Sequence, residues 1–236
     1  MGAGDGRMRL RVRSHPVGDS GSGLGRILST GPMLRNTLVY PPTRQVAYLN
    51  ANRADLLRLG ALFRVAATSA HSAIHIPVPP DAPPMTSGYQ DVHPLALLVA
   101  RADTGLRPAD WPDLRNRMRR GSAAPLVVTA PAARASDRPD DVYRRSVQDP
   151  ARFVEHAATI IVTARAELLF WIGDWLTGVG DQVAGDRHIH RTGESFLGDL
   201  VGFFDPDRTN NTMHAFCVVA ADPIFHRARY QGADPG

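Results

Sequence analysis

The chain has 236 residues, of which 43% are hydrophobic and 21% are charged, which is typical of a globular protein with one sizeable core. All 27 basic residues are arginine, and the absence of lysine excludes P-loop kinases, pyridoxal-phosphate enzymes and Schiff-base aldolases, each of which needs a lysine amine. The formal net charge is +4, with a sequence pI of about 9.8.

The first part of the chain predicts strands and helices after an irregular start. Residues 1–22 are rich in glycine, serine and charge without a hydrophobic period, and we expect a mobile N-terminal arm there. Residues 24–28 predict a short helical piece, and alternating apolar residues over 36–50 predict a hairpin-like pair of strands. Asn52 is a good N-cap for an amphipathic helix over 53–69, whose apolar residues recur at helical spacing.

The middle of the chain centres on a strand, a turn and a basic helix. Residues 71–78 predict one strand. The stretch 93–121 predicts a buried apolar strand, a Gly/Pro turn and a capped helix over 111–120. Residues 125–129 predict another short buried strand, and the polar, proline-containing stretch 130–142 predicts a surface linker.

The last part of the chain predicts a long helical segment and a final strand. An Asp-Pro helix start opens a stretch of near-helical apolar spacing over 149–176, although the β-branched run TIIVT inside it is unfavourable for a helix. Residues 214–220 predict a buried strand. Together the elements predict a single compact α+β domain over 23–230, with an antiparallel or mixed sheet flanked by helices, and a C-terminal tail at 231–236.

The sequence gives no sign of a membrane segment. No apolar run reaches the ~18 residues that a membrane span needs, and the N-terminus lacks the apolar core of a secretory signal. Cys217 is the only cysteine, so an internal disulfide is impossible, and its apolar neighbours are typical of a small core residue. We therefore expect a cytoplasmic protein with no membrane partner.

Histidines and one glutamate form a candidate metal centre. His188 and His190 occupy alternate positions and Glu194 follows, which is the first half of a cupin metal motif. His214 is a further candidate ligand, but the second half of the motif is missing. The alternative interpretation is a pair of solvent-exposed loop histidines.

The predicted helix over 111–120 carries four arginines: Arg115, Arg117, Arg119 and Arg120. A nucleic-acid patch usually interleaves aromatic residues with the basic ones or belongs to a known module, and this helix has neither feature. We expect a solvated helix face and no nucleic-acid partner, with arginine-mediated nucleic-acid binding as an open alternative. His71 and His75, on the predicted strand over 71–78, are interpreted as a partly buried polar pair.

Four stretches, in chain order, carry a resemblance to one family. They are ILSTGPMLRN (27–36), QVAYLNANRADLLRLGALFRVAATSA (45–70), VARADTGLRPADWPDLRNRM (99–118) and ARAELLFWIGDWL (164–176). The first resembles an A-P-S-x-x-N segment, the third a degenerate R-R-T-x-R … P-x-W flavin-phosphate motif, and the fourth an AELFWW helix. In this order they resemble the Acg-like branch of the FMN-dependent nitroreductase superfamily.

The resemblance implies a nitroreductase-like α+β fold that holds FMN between two half-domains or two subunits. Hydride would pass from NAD(P)H through FMN to a small organic acceptor. The serine that the family has after its proline is Met33 here, and the second arginine of its pair is Ala102. The resemblance implies five cofactor-binding residues and no catalytic residue: Pro32, Asn36, Arg101, Thr104 and Arg107.

The sequence therefore predicts a nitroreductase-like oxidoreductase that works as a homodimer or with a partner subunit. Three alternatives stay open at this point. The first is a cofactor-free protein of the same fold that binds a partner, the second is a small His/Glu metal-dependent enzyme, and the third is the arginine-mediated nucleic-acid binder.

Overall fold

A computed structural model describes residues 7–18, 23–43, 46–87, 90–134, 151–183, 194–199 and 215–221. The helices in these ranges are α1 (Arg53–Thr68), α2 (Trp111–Arg120) and α3 (Ala166–Val183). The strands are β1 (Met8–Pro16), β2 (Arg26–Thr30), β3 (Leu38–Thr43), β4 (Val46–Ala51), β5 (Ser72–Ile76), β6 (Met85–Ser87), β7 (Gln90–Val92), β8 (Ala96–Arg101), β9 (Ala124–Ala130), β10 (Arg152–His156), β11 (Thr159–Ala164), β12 (Glu194–Asp199) and β13 (Ala215–Ala221).

The larger of the two main sheets has seven strands in the order β10-β11-β8-β5-β2-β1-β9. Two neighbouring pairs are parallel, β11 with β8 and β2 with β5, and the remaining pairs are antiparallel. The smaller sheet has the order β12-β13-β4-β3, and β6 pairs with β7 in a separate hairpin. The protein is thus a single compact α+β domain with mixed sheets, which confirms the predicted fold class. Its likeness to nitroreductases stays a prediction.

The two faces of the seven-stranded sheet differ because successive side chains point to opposite sides of each strand. On one face, Leu10 and Val12 of β1 join the larger core, which also contains most of the buried residues of α1 and α3. On the other face, α2 packs Trp111 and Leu114 against the middle strands. Three β1 residues on this second face are exposed: Arg9, Arg11 and Arg13.

Helices α1 and α3 pack closely through glycines. A Cβ added at Gly60 would stand 2.5 Å from the carbonyl oxygen of Gly173. Beside this contact, Arg64 is only 2% exposed, and its Nη1 donates to Gly173 O at 3.1 Å and to Thr177 Oγ1 at 2.7 Å. The Arg64 guanidinium also lies 3.3 Å from the Asp174 carboxylate, and burial lowers the pKa of Arg64 and raises that of Asp174. The buried ion pair therefore ties the two helices together.

Part of the mobile arm predicted over 1–22 is an ordered strand, while residues 1–6 and 19–22 lie outside the described residues. Residues Met8–Pro16 form β1, which pairs with β2 on one side and β9 on the other. Burying an aliphatic side chain such as Leu10 stabilises the fold by roughly 1.5–3 kcal/mol, which favours an ordered strand over a free arm. The helical piece predicted over 24–28 is also wrong, because Arg26–Thr30 is a strand.

The long helix predicted over 149–176 begins only at Ala166. Before it, β10 and β11 form an antiparallel hairpin, as the β-branched residues of this stretch favour. The hairpin turns at Ala157 and Ala158, whose φ angles are 50° and 56°. Left-handed φ is unusual for alanine and is usually marked in a sequence by glycine or asparagine. Because both turn residues are alanine, the sequence carries no signal for this hairpin.

Other predictions are confirmed. The helix over 53–69 is α1, and Asn52 caps it by accepting a hydrogen bond from the Asp55 N–H at 2.9 Å. The hairpin over 36–50 is β3 with β4, and the strands at 71–78 and 214–220 are β5 and β13. No described helix is long and apolar enough to cross a membrane. The predicted tail at 231–236 lies outside the described residues.

Candidate functional site

The five residues implied by the family resemblance lie at opposite ends of the seven-stranded sheet. β2 and β5 run parallel and β8 runs antiparallel to β5, so Arg101 at the end of β8 lies towards the start of β2. Thr104 O accepts a hydrogen bond from Gly23 N–H at 2.7 Å, just before β2. Pro32 and Asn36 follow the other end of β2. At least the length of this strand, about 15 Å, separates the two groups.

Both arginines of this set are paired with neighbouring carboxylates. Arg101 donates to both oxygens of Asp103. Arg107 donates to Asp110 through Nε at 3.1 Å and Nη2 at 2.9 Å, and these bonds lower the pKa of the Asp110 carboxyl. Thr104 is buried and its Oγ1 donates to Arg101 O at 2.7 Å, so it holds the turn. Asp110 is the N-cap residue of α2, but its side chain makes no cap hydrogen bond there.

The residues at the other end of β2 also make structural contacts. Pro32 O accepts a hydrogen bond from Arg58 Nη2 at 2.6 Å, and the Asn36 N–H donates to Asp55 Oδ2 at 2.9 Å. Asp55 is buried beneath these contacts, and burial raises the pKa of its carboxyl. Both contacts fix the loop between β2 and β3 to the start of α1.

The described residues therefore do not fit a single cradle for the phosphate and ring of FMN. The two arginines expected to bind the dianionic phosphate are each paired with a carboxylate. Pro32 and Asn36 lie at the far end of the sheet. Binding of FMN and NAD(P)H stays a prediction of the resemblance.

The candidate metal centre falls largely outside the described residues. His188, His190 and His214 are not described, and Glu194 is placed only as the first residue of β12. Within the part of the chain that the structure describes, no three His, Cys, Asp or Glu side chains form a group that could hold a metal ion.

A different set of residues forms a basic surface on the α2 side of the large sheet. The C-terminal half of α2 is held beside the end of β1, because Arg117 Nη1 donates to Val17 O at 3.0 Å. Arg119 lies near enough to the buried His75 of the same sheet face to help lower its pKa. We define the arginine face as four exposed residues: Arg9, Arg11, Arg13 and Arg119.

No described carboxylate neutralises the arginine face. Each ion pair found among the described residues involves other arginines. β1, β2 and β9 contain no acidic residue, and the single acid of α2 is Asp113 in its first turn, at the end away from Arg119. Positive charge is therefore concentrated on this surface.

A groove of about 580 Å³ lies beside the arginine face, between the β2–β3 loop and β9. β9 is the last strand of the sheet on this side among the described residues, and Val127 within it is 49% exposed. The expectation of a buried strand at 125–129 is thus wrong. The groove is lined by charged and apolar residues: Arg11, Arg13, Gly31, Pro32, Pro125 and Val127.

A polar row leads from the arginine face into the protein beneath α2. Arg13 is opposite Ser29 in the sheet register, and Ser29 is opposite His75. Ser29 Oγ shares a hydrogen bond of 2.8 Å with His15 Nε2. The His75 ring lies 5.4 Å from that of Trp111 on α2 and is 7% exposed. The row therefore runs from an exposed guanidinium to a buried imidazole.

Burial dominates the electrostatics of this row. It lowers the pKa of His75 to about 4, with further lowering by the charges of Arg115 and Arg119 and by His15 when that ring is protonated. The pKa of His15 is also lowered, again mainly by burial. Both imidazoles are therefore neutral near pH 7. The partly buried pair expected of His71 and His75 does not form, because His71 lies exposed in the turn before β5.

Sequence reasoning missed the arginines of β1, although a signal was present. Met8-Arg9-Leu10-Arg11-Val12-Arg13 alternates apolar and basic residues with the two-residue period of a strand. The glycine-rich flanks led to its assignment to an arm.

No family model, no curated protein and no solved structure matches this chain.

Proposed function

We propose that this protein is a cofactor-free nucleic-acid-binding protein whose contact surface is the arginine face. The observation that carries the proposal is the set of four exposed guanidinium groups, on two adjacent elements, with no described carboxylate partner. Contacts to phosphates supply most of the affinity of non-specific nucleic-acid binding, and arginine is well suited to them because its guanidinium donates two parallel hydrogen bonds.

The spacing of the arginines supports a phosphate backbone as ligand. Arg9, Arg11 and Arg13 alternate along β1, so their side chains leave the same face about 6.8 Å apart. Successive phosphates of an extended single strand are separated by a similar distance. A nucleic-acid single strand that lies along β1 can therefore place one phosphate near each guanidinium group.

The groove beside β1 supports contacts with sugars and bases. Val127 and the two prolines on either side of the groove offer apolar surface next to the guanidinium groups of Arg11 and Arg13. Guanidinium planes and apolar side chains stack on bases without reading sequence. No base-reading helix with polar side chains faces this groove among the described residues, so we expect weak sequence preference.

The test is fluorescence anisotropy with labelled single-stranded DNA, single-stranded RNA and duplex DNA. We expect Arg11→Gln and Arg13→Gln each to weaken binding of the single strands by roughly three- to tenfold. The matched control is Arg152→Gln, since Arg152 is an exposed strand arginine at the other side of the same sheet. It should bind as the unmodified protein does.

Two results would overturn the proposal. One is the absence of oligonucleotide binding at low salt. The other is equal binding by Arg11→Gln, Arg152→Gln and the unmodified chain. An absorption spectrum of the purified protein tests the competing oxidoreductase at the same time, because bound flavin gives a band at about 450 nm.

A further inference from the structure

Two buried nitrogens beneath α2, His75 Nδ1 and Arg115 Nε, have no hydrogen-bond partner among the described residues. The neighbouring His15 ring faces the backbone of Met118; burial lowers the His15 pKa, and the hydrogen bond with Met118 raises it by a smaller amount. Buried polar atoms are nearly always satisfied, by protein groups, by ordered water or by a ligand. The two unsatisfied nitrogens therefore point to a group that the protein binds there.

These atoms belong to one neighbourhood. His15 and His75 flank Ser29, the first by a hydrogen bond and the second by sheet register. Arg115 lies near enough to His75 for its charge to help lower the His75 pKa, and Arg115 is held in place because its Nη1 donates to Ala157 O at 2.5 Å. We define the histidine cluster as His15, Ser29, His75 and Arg115.

The chemistry of the histidine cluster selects an oxyanion. Its unpartnered groups supply N–H donors, a guanidinium charge lies among them, and none of its four residues is a carboxylate. If Ser29 Oγ–H donates to His15 Nε2, then Nδ1 of His15 carries the proton and faces the Met118 backbone, which fixes the ring beside Ser29. A metal ion would find only two imidazoles and no carboxylate here.

We propose that the histidine cluster binds a phosphate group. His75 is its innermost donor: it is more than nine-tenths buried, its ring packs against Trp111, and its Nδ1 has no partner. The exposed Arg13 stands at the outer end of the same row, so the phosphate enters from the arginine face. The phosphate is either the terminal phosphate of a bound nucleic-acid strand or free inorganic phosphate. The first version rests on the proposed function, and the second does not.

The experiment combines imidazole NMR with oligonucleotide binding. Inorganic phosphate should shift the imidazole nitrogen resonances of His15 and His75. It should leave those of the exposed His71 unchanged. In anisotropy, a 5′-phosphorylated single strand should bind about tenfold more tightly than its 5′-hydroxyl counterpart if the terminal phosphate is the source. If the two oligonucleotides bind equally and inorganic phosphate still shifts the imidazole resonances, the ligand of the histidine cluster is free inorganic phosphate.

Variants give the decisive comparison. His75→Phe keeps a ring against Trp111 while removing both nitrogens, and it should abolish the phosphate-dependent shifts of His15 and the preference for the 5′-phosphate. Ser29→Ala should weaken both the imidazole shifts and the preference for the 5′-phosphate. It replaces His75→Phe as the test variant if His75→Phe does not fold. His71→Gln is the matched control and should behave as the unmodified chain does.

The proposal is overturned if phosphate leaves both imidazoles unshifted and the two oligonucleotides bind equally. If Arg11→Gln still weakens oligonucleotide binding in that case, the phosphate site has failed and the nucleic-acid function stands. If phosphate shifts the imidazoles while no oligonucleotide binds, the phosphate site stands and the nucleic-acid function has failed.

Discussion

His75 shows most directly how burial sets the behaviour of a single residue in this fold. The imidazole lies under α2, beside Trp111, and burial, helped by the charges of Arg115 and Arg119, lowers its pKa to about 4. A neutral histidine at pH 7 can occupy this position because the charged form alone is penalised by burial. The same residue would be a costly choice in a protein that had to stay folded in acid.

The lowered pKa of His75 predicts that stability falls in mild acid. Between about pH 6.5 and pH 4 the unfolded chain binds a proton at His75 that the folded protein does not, so stability is full above this window and declines as pH falls through it. A shift of this size corresponds to at most about 3 kcal/mol. His15 acts in the same direction, since burial lowers its pKa too.

Urea unfolding at several pH values measures this decline. His75→Phe should lose less stability than the unmodified chain between about pH 6.5 and pH 4, since it has no proton to take up at this position. Parallel curves for the two proteins across the window would show that His75 does not titrate as its burial implies.

At the scale of elements, the pairing of α1 with α3 depends on two glycines that meet back to back. Gly60 and Gly173 allow the two helix backbones to approach, and Arg64 then reaches across to α3. A glycine inside a helix costs about 1 kcal/mol relative to alanine, so its presence at a contact needs a steric reason. The close approach supplies that reason for Gly60 and Gly173.

Alanine substitutions at two glycines test this packing. Gly60→Ala should lower the free energy of unfolding by roughly 1–3 kcal/mol, because its Cβ would meet α3 backbone and Thr177. Gly178→Ala, on α3, has no atom within 4 Å of the added Cβ and should raise the free energy of unfolding by up to about 1 kcal/mol. Denaturant curves that moved in the same direction for both variants would contradict the packing.

The elements also show which parts of the fold a sequence can predict. α1 was predictable because its N-cap and its apolar spacing agree, and the β3–β4 hairpin because its apolar residues alternate. The β10–β11 hairpin was missed because its apolar run also fits a helix and its alanine turn carries no signal. β1 was missed because glycine-rich flanks outweighed a short alternation.

At the scale of the whole molecule, the candidate surface could not be predicted because its parts are distant in sequence. Arg119 and the β1 arginines are separated by about a hundred residues, and only the sheet register and the position of α2 bring them onto one face. The predicted helix over 111–120 lacks interleaved aromatic residues and a known module, and for that reason the sequence predicted no nucleic-acid partner. The proposed function departs from that prediction because three more exposed arginines lie on the same face of the sheet.

Distance along the chain also explains why the flavin site was predicted from residues that do not lie together. Each motif was read as a local segment, and their order along the chain gave no information on the distance between them. The topology places Pro32 and Arg101 at opposite ends of the sheet, while Pro32 lines the groove beside Arg11 and Arg13. Of the predicted cofactor residues, only Pro32 lines that groove.

The most direct test of the account is the dependence of single-strand binding on salt concentration. Four arginine–phosphate contacts predict a slope of about −3 in a plot of log affinity against log salt, and the triple variant Arg9→Gln/Arg11→Gln/Arg13→Gln should reduce its magnitude by about 2. A slope near zero for the unmodified chain, or the same slope in both proteins, would contradict the claim that the arginine face binds nucleic acid.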